Sequence, residues 1–582
     1  MTDRHGRYPR RQLLAGVGTV GTGLLAGCLD QFRTQTEHSP PEQVSLSVRY
    51  PPAEEDQIGA AIASQFMENL ERVGIDAAPD PVSTPELYRQ LLLEGDYQVA
   101  IVRHPGLDDP DALRSLLHSD YAVERGWQNP FGFSEVIVDD LLERQRSSSA
   151  GDRESALLEL SEHLLESGPF VAVAMPDHVG LVHADLGVRE PPRDRIDHLR
   201  LLAHEPADAD ADALRLGVLE PMLGEHFNPF IVSSRVLPRV LELLYAPLSI
   251  VEERRSTPWL AESIDWSEES VTISLRPDVS WQDGEPIDAA DVVFTYELLQ
   301  DTSRGALQAG VPPTRFRARG DLIEDIERVD ERTVTLAMPD ASRSVAERVL
   351  GIPVLPAEHW DEHSTPNEDG VTGVLTWQNA EPVGSGPFEL GETGGDSATG
   401  NRWLRLEYRE DSVPEDVMAT FDLDLANNAV AELEYRRIQN VPSGIDHVDS
   451  GAMDLIVSPL RRPALEEVES TDDVTPIART GRFFYMLAFN VQTPDVSNGR
   501  FRRALRGLLD PKYVLEGLLG GKGRSTDTYG TRLGLAPVLW ADDRRDRLVE
   551  FVGTDGLVDP EHGRSLFEGT GYRYTPDGEL VR

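Results

Sequence analysis

The sequence predicts an α/β protein built as two lobes, and three observations carry that expectation. At 582 residues the chain exceeds what one hydrophobic core organises. Segments that alternate as strands do are interleaved with segments whose apolar residues recur at helical spacing. A low-complexity stretch at 206–213, Pro-Ala-Asp-Ala-Asp-Ala-Asp-Ala, then separates two such regions as a linker. In the first region Val44-Ser45-Leu46-Ser47-Val48 alternates as a strand, and Ile58, Ile62, Phe66, Leu70 and Val73 mark a helix. Tyr97 to Val102 reads as a buried strand, followed by a loop from Arg103 to Pro110. Leu157, Leu160 and Leu164 mark another helix, and Phe170 to Met175 is apolar and strand-like. Beyond the linker Leu214 to Val218 opens a new strand and Val271 to Leu275 alternates. Asp288 is placed to cap a helix carrying Val292, Val293, Tyr296 and Leu299. Gly571-Tyr572 and the turn-like Pro576-Asp577-Gly578 follow near residue 582.

Composition narrows the setting. Acidic residues number 101 against 55 basic ones, a formal net charge of -46, and Lys512 and Lys522 are the only lysines. The acid excess runs through the whole chain. Such a charge repels itself at low salt and is screened at high salt, where the Debye length falls to ~3 Å at 1 M. We read it as adaptation to very high salt, and the composition resembles that of extreme halophiles. It argues against a nucleic-acid partner, which needs clustered Lys and Arg. Asp208, Asp210 and Asp212 imitate the start of a calcium loop, but Ala213 stands at the turn glycine and Leu219 where the bidentate Glu belongs.

The first residues read as an export signal. Arg4, Arg7, Arg10 and Arg11 give a basic start, and the apolar run Leu13 to Gly27 is shorter than the ~20 residues of a spanning helix. Pro9-Arg10-Arg11-Gln12-Leu13-Leu14 resembles a twin-arginine signal, and Leu25-Ala26-Gly27-Cys28 resembles a lipobox. Residues 1–28 are thus expected to be a lipoprotein signal peptide, with Cys28 lipidated, and 29–43 a polar tether. The expected location is outside the cell, anchored to the outer face of the membrane. Cys28 is the only cysteine, so no intrachain disulfide is available.

Several later blocks carry a family. These are Pro258-Trp259-Leu260-Ala261-Glu262-Ser263, Leu275-Arg276-Pro277-Asp278-Val279-Ser280-Trp281-Gln282-Asp283-Gly284-Glu285-Pro286, and Ala290-Asp291-Val292-Val293-Phe294. Leu355-Pro356-Ala357-Glu358-His359-Trp360, Pro382-Val383-Gly384-Ser385-Gly386-Pro387-Phe388, Phe489-Asn490 and Arg500-Phe501-Arg502-Arg503-Ala504-Leu505 follow in order. Together they resemble the dipeptide/oligopeptide/nickel-type extracellular solute-binding proteins of ABC importers, from about 214 to 582. In that family the chain continues past the Gly-Tyr and its turn, and residues 44–205 look like the continuation. Gly95-Asp96-Tyr97, Asp109-Pro110-Asp111, Asn129-Pro130-Phe131-Gly132-Phe133 and Gly168-Pro169-Phe170 resemble its successive blocks. A circular permutation is the expectation, with 206–213 joining the family's usual end to its usual beginning.

The resemblance implies a two-lobed type II periplasmic-binding-protein clamshell, circularly permuted. The larger lobe would hold 214–478 with 170–205 as its return segment, and the smaller lobe 479–582 with 44–169. It implies no catalysis and no cofactor or metal. It implies a small-molecule or peptide ligand held in the cleft, ABC permease subunits as partners, attachment to the membrane by lipid alone, and a monomer. Candidate ligand-binding residues are Asn228, Phe230, Gly384, Ser385 and Gly386 from the larger lobe, the Gly384–Pro387 loop offering backbone N–H groups. Arg103, His104, Asp108, Asn129, Tyr485 and Asn490 would come from the smaller lobe. Peptide-binding relatives often carry an Asp where this sequence has Gly106, and a Trp where it has Arg103. Arg103 suits an anionic group by bidentate pairing. Two rival readings remain at this stage. His359-Trp360-Asp361-Glu362-His363 matches the H-x-x-E-H pattern of a metallohydrolase. A surface sensor could use the same binding fold.

Overall fold

The computed structural model describes residues 42–582 apart from Val123, 220–222, 232–237, 253–254, Ala309, Asp369, 397–400, 461–467, 469–470, Asp472 and 525–550. The expected signal peptide, Cys28 and residues 29–41 of the tether lie outside the described residues.

The α/β expectation holds, and the architecture turns on two large sheets. One has six strands in the order Gly523–Arg524, Phe170–Pro176, Phe484–Phe489, Val99–His104, Ser45–Tyr50 and Asp76–Pro81. Ser45–Tyr50 pairs in parallel with both of its neighbours, and Phe484–Phe489 runs antiparallel between Val99–His104 and Phe170–Pro176. Strands that are hundreds of residues apart in sequence thus complete one another. Every residue of Phe484–Phe489 is buried, as a central strand with two covered faces requires. Its alternation feeds two cores. Tyr485, Leu487 and Phe489 join Val44, Leu46, Val48 and the helix Gln57–Arg72 on one face. Phe484, Met486 and Ala488 join Phe131, Phe133 and the helices Val136–Ser147 and Ala150–Ser167 on the other. Residues 44–205 therefore have no closed core of their own.

The second sheet has seven strands: Phe388–Asp396, Asn401–Tyr408, Glu432–Arg437, Ala213–Val218, Leu455–Ile456, His178–His183 and Val474–Arg479. Its core is continuous with a four-stranded antiparallel sheet and with the helix Ala289–Gln300. Asp288 caps that helix in a reciprocal capping box with Asp291. Residues 206–212 lead into Ala213–Val218 without regular structure, held by the Ala207 N–H donating to Asp454 at 2.7 Å.

The chain passes between the two large sheets at Asp177 and again at 480–483. This shifts one expected boundary. Residues 170–176 were expected in the larger lobe, but Phe170–Pro176 pairs with Phe484–Phe489 in the six-stranded sheet. Its Phe170 and Met175 enter one flanking core and its Val173 and Ala174 the other, which holds it there. The two crossings touch: a Cβ on Gly481 would collide with the Pro176 carbonyl.

Residue 582 lies beside residue 42. The Val44 N–H donates to Leu580 at 2.8 Å and the Arg582 N–H to Glu42 at 3.1 Å, around an antiparallel bridge between Gln43 and Val581. Among the described residues no helix is long and apolar enough to cross a membrane.

Candidate functional site at the junction of the two sheets

The strand Val99–His104 delivers Arg103 to the edge of the junction, with Tyr485 as its cross-strand neighbour. Both side chains meet Asp56. This carboxylate is 1% exposed and caps the helix Gln57–Arg72 by accepting from the Gly59 N–H at 3.1 Å. It also accepts the Tyr485 hydroxyl at 2.8 Å and pairs with Arg103 at 3.1 Å. The Arg103 guanidinium lies 5.5 Å from the Phe483 ring centre, and its side chain remains 37% exposed. Burial disfavours the Arg103 charge, but Asp56 more than restores it. Tyr88 donates to the Arg103 carbonyl at 2.6 Å, and burial pushes the Tyr88 phenol up to about 12. The result is an arginine fixed on three sides and open on the fourth, suited to a planar anionic group.

Most of the other expected contacts are spent inside the protein, as buried polar groups must be. His104 is 3% exposed, sandwiched between Phe484 at 4.8 Å and Trp127 at 4.4 Å. Burial drives its pKa down to about 3, so it is neutral, and its Nδ1 accepts the Gly106 N–H at 3.0 Å. Gly106 itself has φ +102°, and a Cβ there would collide with the Arg482 carbonyl. No side chain fits at Gly106, where the family resemblance led us to look for an Asp. Asn129 is buried at φ 42° and brackets its loop, donating to Leu117, His118 and Phe133 and accepting from the Phe133 N–H. Asn490 donates to Gly95 at 2.8 Å and accepts from Gln492.

Across the junction the correction is the same. Asn228 is fully buried and donates to Val374 and Trp377, both at 2.9 Å. Phe230 is core, against Phe316 and Trp360. The Gly384 N–H donates to Gln282 at 3.1 Å and the Gly386 N–H to Leu244 at 2.8 Å. Ser385 accepts from Ala246. The loop therefore has no N–H at Gly384 or Gly386 left to offer a ligand. Of the expected set, Arg103, His104 and Tyr485 are brought together, and of these three Arg103 is the accessible one.

Asp108 is half-exposed and pairs with Arg319 of the facing element. Burial opposes its charge, but Arg319 and Arg348 hold the carboxyl below the usual range. It opens a seam of ion pairs away from the crossings, in which Asp109–Arg153 and Asp111–Arg146 lie within one part while Asp108–Arg319, Asp109–Arg348 and Glu124–Arg317 join the two. Asp109 pairs with Arg153 at 2.6 Å and Arg348 at 3.5 Å. Asp111 pairs with Arg146 at 2.7 Å, Arg317 reaches Glu124 at 2.9 Å, and Gln128 donates to the Thr314 carbonyl at 2.7 Å. Asp109, Asp111, Arg146, Arg153 and Arg348 are each less than 10% exposed.

The H-x-x-E-H segment does not build a centre. His359 sits on a single helical turn near Asp283, and His363 stacks on Trp377 at 3.8 Å. Among the described residues no three His, Cys, Asp or Glu side chains are grouped to hold a metal. Sequence reasoning missed Asp56. For Asp56 a signal existed, an Asp directly before a helical run.

A family model described as "Bacterial extracellular solute-binding proteins, family 5 Middle" matches residues 255–581, more than half of the chain. The chain belongs to this family. The family match begins after the strand Ala213–Val218, yet it includes Phe484–Phe489, whose sheet partners Val99–His104 and Phe170–Pro176 precede it. Among curated proteins the chain is 24% identical over 434 residues to a putative binding protein of Brucella abortus, covering 69% of this chain and 64% of that one. It is 25% identical over 335 residues to the peptidoglycan-binding protein YepA of Agrobacterium fabrum, covering 55% and 50%. The chain thus spans less than two thirds of the length of these relatives. Among solved structures it is similar to the oligopeptide-binding protein AppA of Bacillus subtilis in complex with a nonapeptide. That likeness is 16% identical, covers 64% of this chain and 66% of that one, and has a TM-score of 0.43.

Proposed function

We propose that this member of the solute-binding family captures a small peptide, or a similar small solute, between two lobes and delivers it to the permease of an ABC importer. The single observation that carries the ligand reading is Arg103, fixed by Asp56 and Phe483 yet left accessible where the two sheets meet. In this reading residues 44–176 and 480–582 make the smaller lobe, and 178–479 the larger. The paired crossings at Asp177 and Gly481 are the hinge about which the lobes rotate. Closure is driven by the ligand's greater affinity for the closed state.

Three further features belong to the same proposal. The family order is circularly permuted, which the shared six-stranded sheet and the contact between residues 42 and 582 support. The protein leaves the cell by a twin-arginine signal and is held at the membrane by lipid on Cys28, as a monomer. It works in concentrated salt, in keeping with its net charge of -46. The test is calorimetric titration of the purified chain in molar KCl with trialanine. Saturable one-to-one binding is expected, weakened roughly tenfold by Arg103→Gln. Absence of binding to trialanine and to a mixed di- and tripeptide library would defeat the peptide reading.

A further inference from the structure

The motif Asp109-Pro110-Asp111, which the ligand reading does not use, sits in the seam where the two parts meet away from their crossings. Three ion pairs cross there with the acid on residues 44–176 and the arginine on 178–479. They join Asp108 to Arg319, Asp109 to Arg348 at 3.5 Å, and Glu124 to Arg317. The last is two-pronged, Nε reaching one carboxylate oxygen at 2.9 Å and Nη2 the other at 3.0 Å. A fourth pair runs the opposite way, from Arg114 to Asp321 at 3.6 Å, and the Tyr121 hydroxyl donates to the same carboxylate. Backbone groups cross as well. The Arg146 guanidinium, fixed by Asp111, donates to the Ala318 carbonyl at 3.2 Å, and the Arg146 carbonyl accepts the Ser342 N–H at 2.9 Å.

Among the described residues, each cluster of buried apolar side chains lies wholly on one side of the crossings. No such cluster spans the two parts, so what draws them together along the seam is polar. The pattern is also selective. Because Arg114 and Asp321 reverse the polarity of the other three pairs, a closure shifted along the seam would set like charges against each other. The pairs differ in depth. Asp109 and Arg348 are both buried, whereas the side chains of Asp108 and Glu124 remain open to solvent. Salt screens an exposed pair strongly and a buried one much less. The inner pair therefore keeps its attraction in concentrated salt, where the outer two weaken.

We infer that this seam is a latch: the two parts rest closed before any solute arrives, held by groups that all belong to the protein. The inference takes its lobes and hinge from the capture reading given above. The latch lies away from Asp177 and Gly481, so rotation about those crossings must part it. Opening exchanges its ion pairs and hydrogen bonds for water, so each one contributes modestly. They part in a single motion, however, and all of them bear on one equilibrium between closed and open. A solute enters through the open minority. The seam thus sets how often the cleft is open to capture, without itself touching what is captured.

The test needs no ligand. Spin labels are placed on the exposed positions Glu154→Cys and Glu327→Cys, one in each part, in a Cys28→Ser chain. With the protein shown solute-free by native mass spectrometry, their separation is measured in molar KCl by pulsed electron resonance. One narrow distance is expected with the latch intact. Arg317→Gln with Arg319→Gln and Arg348→Gln should lower the ratio of closed to open roughly tenfold or more, read as a second, longer distance. Asp108→Asn with Glu124→Gln loosens the latch from its exposed acids and spares the buried pair. It should shift the ratio several-fold, and it serves where the arginine variant does not fold. Arg144→Gln breaks a pair with Glu159 inside one part and should leave the distance unchanged. A mainly long or broad distance with the latch intact overturns the inference. So does a single unchanged distance in the latch variants, or equal opening in Arg144→Gln. Each of these leaves the capture reading standing, because no solute enters the measurement. Failure of trialanine and the peptide library to bind would defeat the peptide reading and leave the latch.

Discussion

Two sets of arginines face the line where the parts of this molecule meet, and they differ in one respect. Arg146, Arg153 and Arg348 are each less than 10% exposed and end on Asp109 or Asp111. Arg103, Arg315 and Arg482 are reached by solvent, and the latter two have no carboxylate partner among the described residues. All three buried guanidinium groups are matched by carboxylates, whereas of the exposed three only Arg103 is. A guanidinium withdrawn from water must be matched, because the cost of desolvation exceeds what packing returns. One left at a concave surface can wait for its counter-charge. The first set ties the seam, and the second stands open to solvent.

The strongest way to break this contrast is to remove one acid from the seam. Asp109→Ala takes the shared carboxylate away from the buried Arg153 and Arg348, and is expected to cost about 3–5 kcal/mol in urea unfolding. A loss below about 1 kcal/mol would mean the seam carries little of the stability. Acid should act in the same direction through the His104 side of the junction. In the folded chain His104 stays neutral down to about 3, whereas the unfolded chain takes up a proton near the ordinary 6.5. Its contribution is therefore complete above pH 6.5 and is lost as pH falls toward 3. His104→Phe keeps the ring stack and should flatten the fall in melting temperature across that window. Arg103→Gln leaves the buried Asp56 carboxylate to the Gly59 N–H and the Tyr485 hydroxyl alone, and should cost about 1–3 kcal/mol. It should weaken peptide binding by roughly tenfold in calorimetry. The smallest effect is expected from rejoining the chain. A version beginning at residue 210, with 582 linked to 42 by a short Gly-Ser segment, should melt within a few degrees of the parent and bind the same ligands. A collapse of that version would refute the permutation.

Much of the scaffold was legible because its signals are local. The alternation at 44–48, the helical spacing from Ile58 to Val73 and the cap at Asp288 each reappear as elements. The boundary at 170 was misjudged because an apolar strand looks the same in either sheet; pairing with Phe484–Phe489 decides it. The site was harder to read. Asn129, Asn228, Asn490 and the Gly384–Pro387 loop carry the residue types of a binding site, but those same groups satisfy buried backbone. Residue type alone does not say which demand is met. Asp56 carried the mark of a helix cap, but nothing local showed that its partners Arg103 and Tyr485 arrive from distant segments.

The clasp between residues 42–44 and 580–582 also sets how the molecule bears force. Tension applied at residue 42 first loads the backbone bonds to Leu580 and Arg582. Once those part, the load runs along the axis of Ser45–Tyr50, which is gripped on both sides by parallel neighbours. Those ladders would have to slide all at once rather than open one rung at a time, so the chain resists a pull on residue 42 by shear.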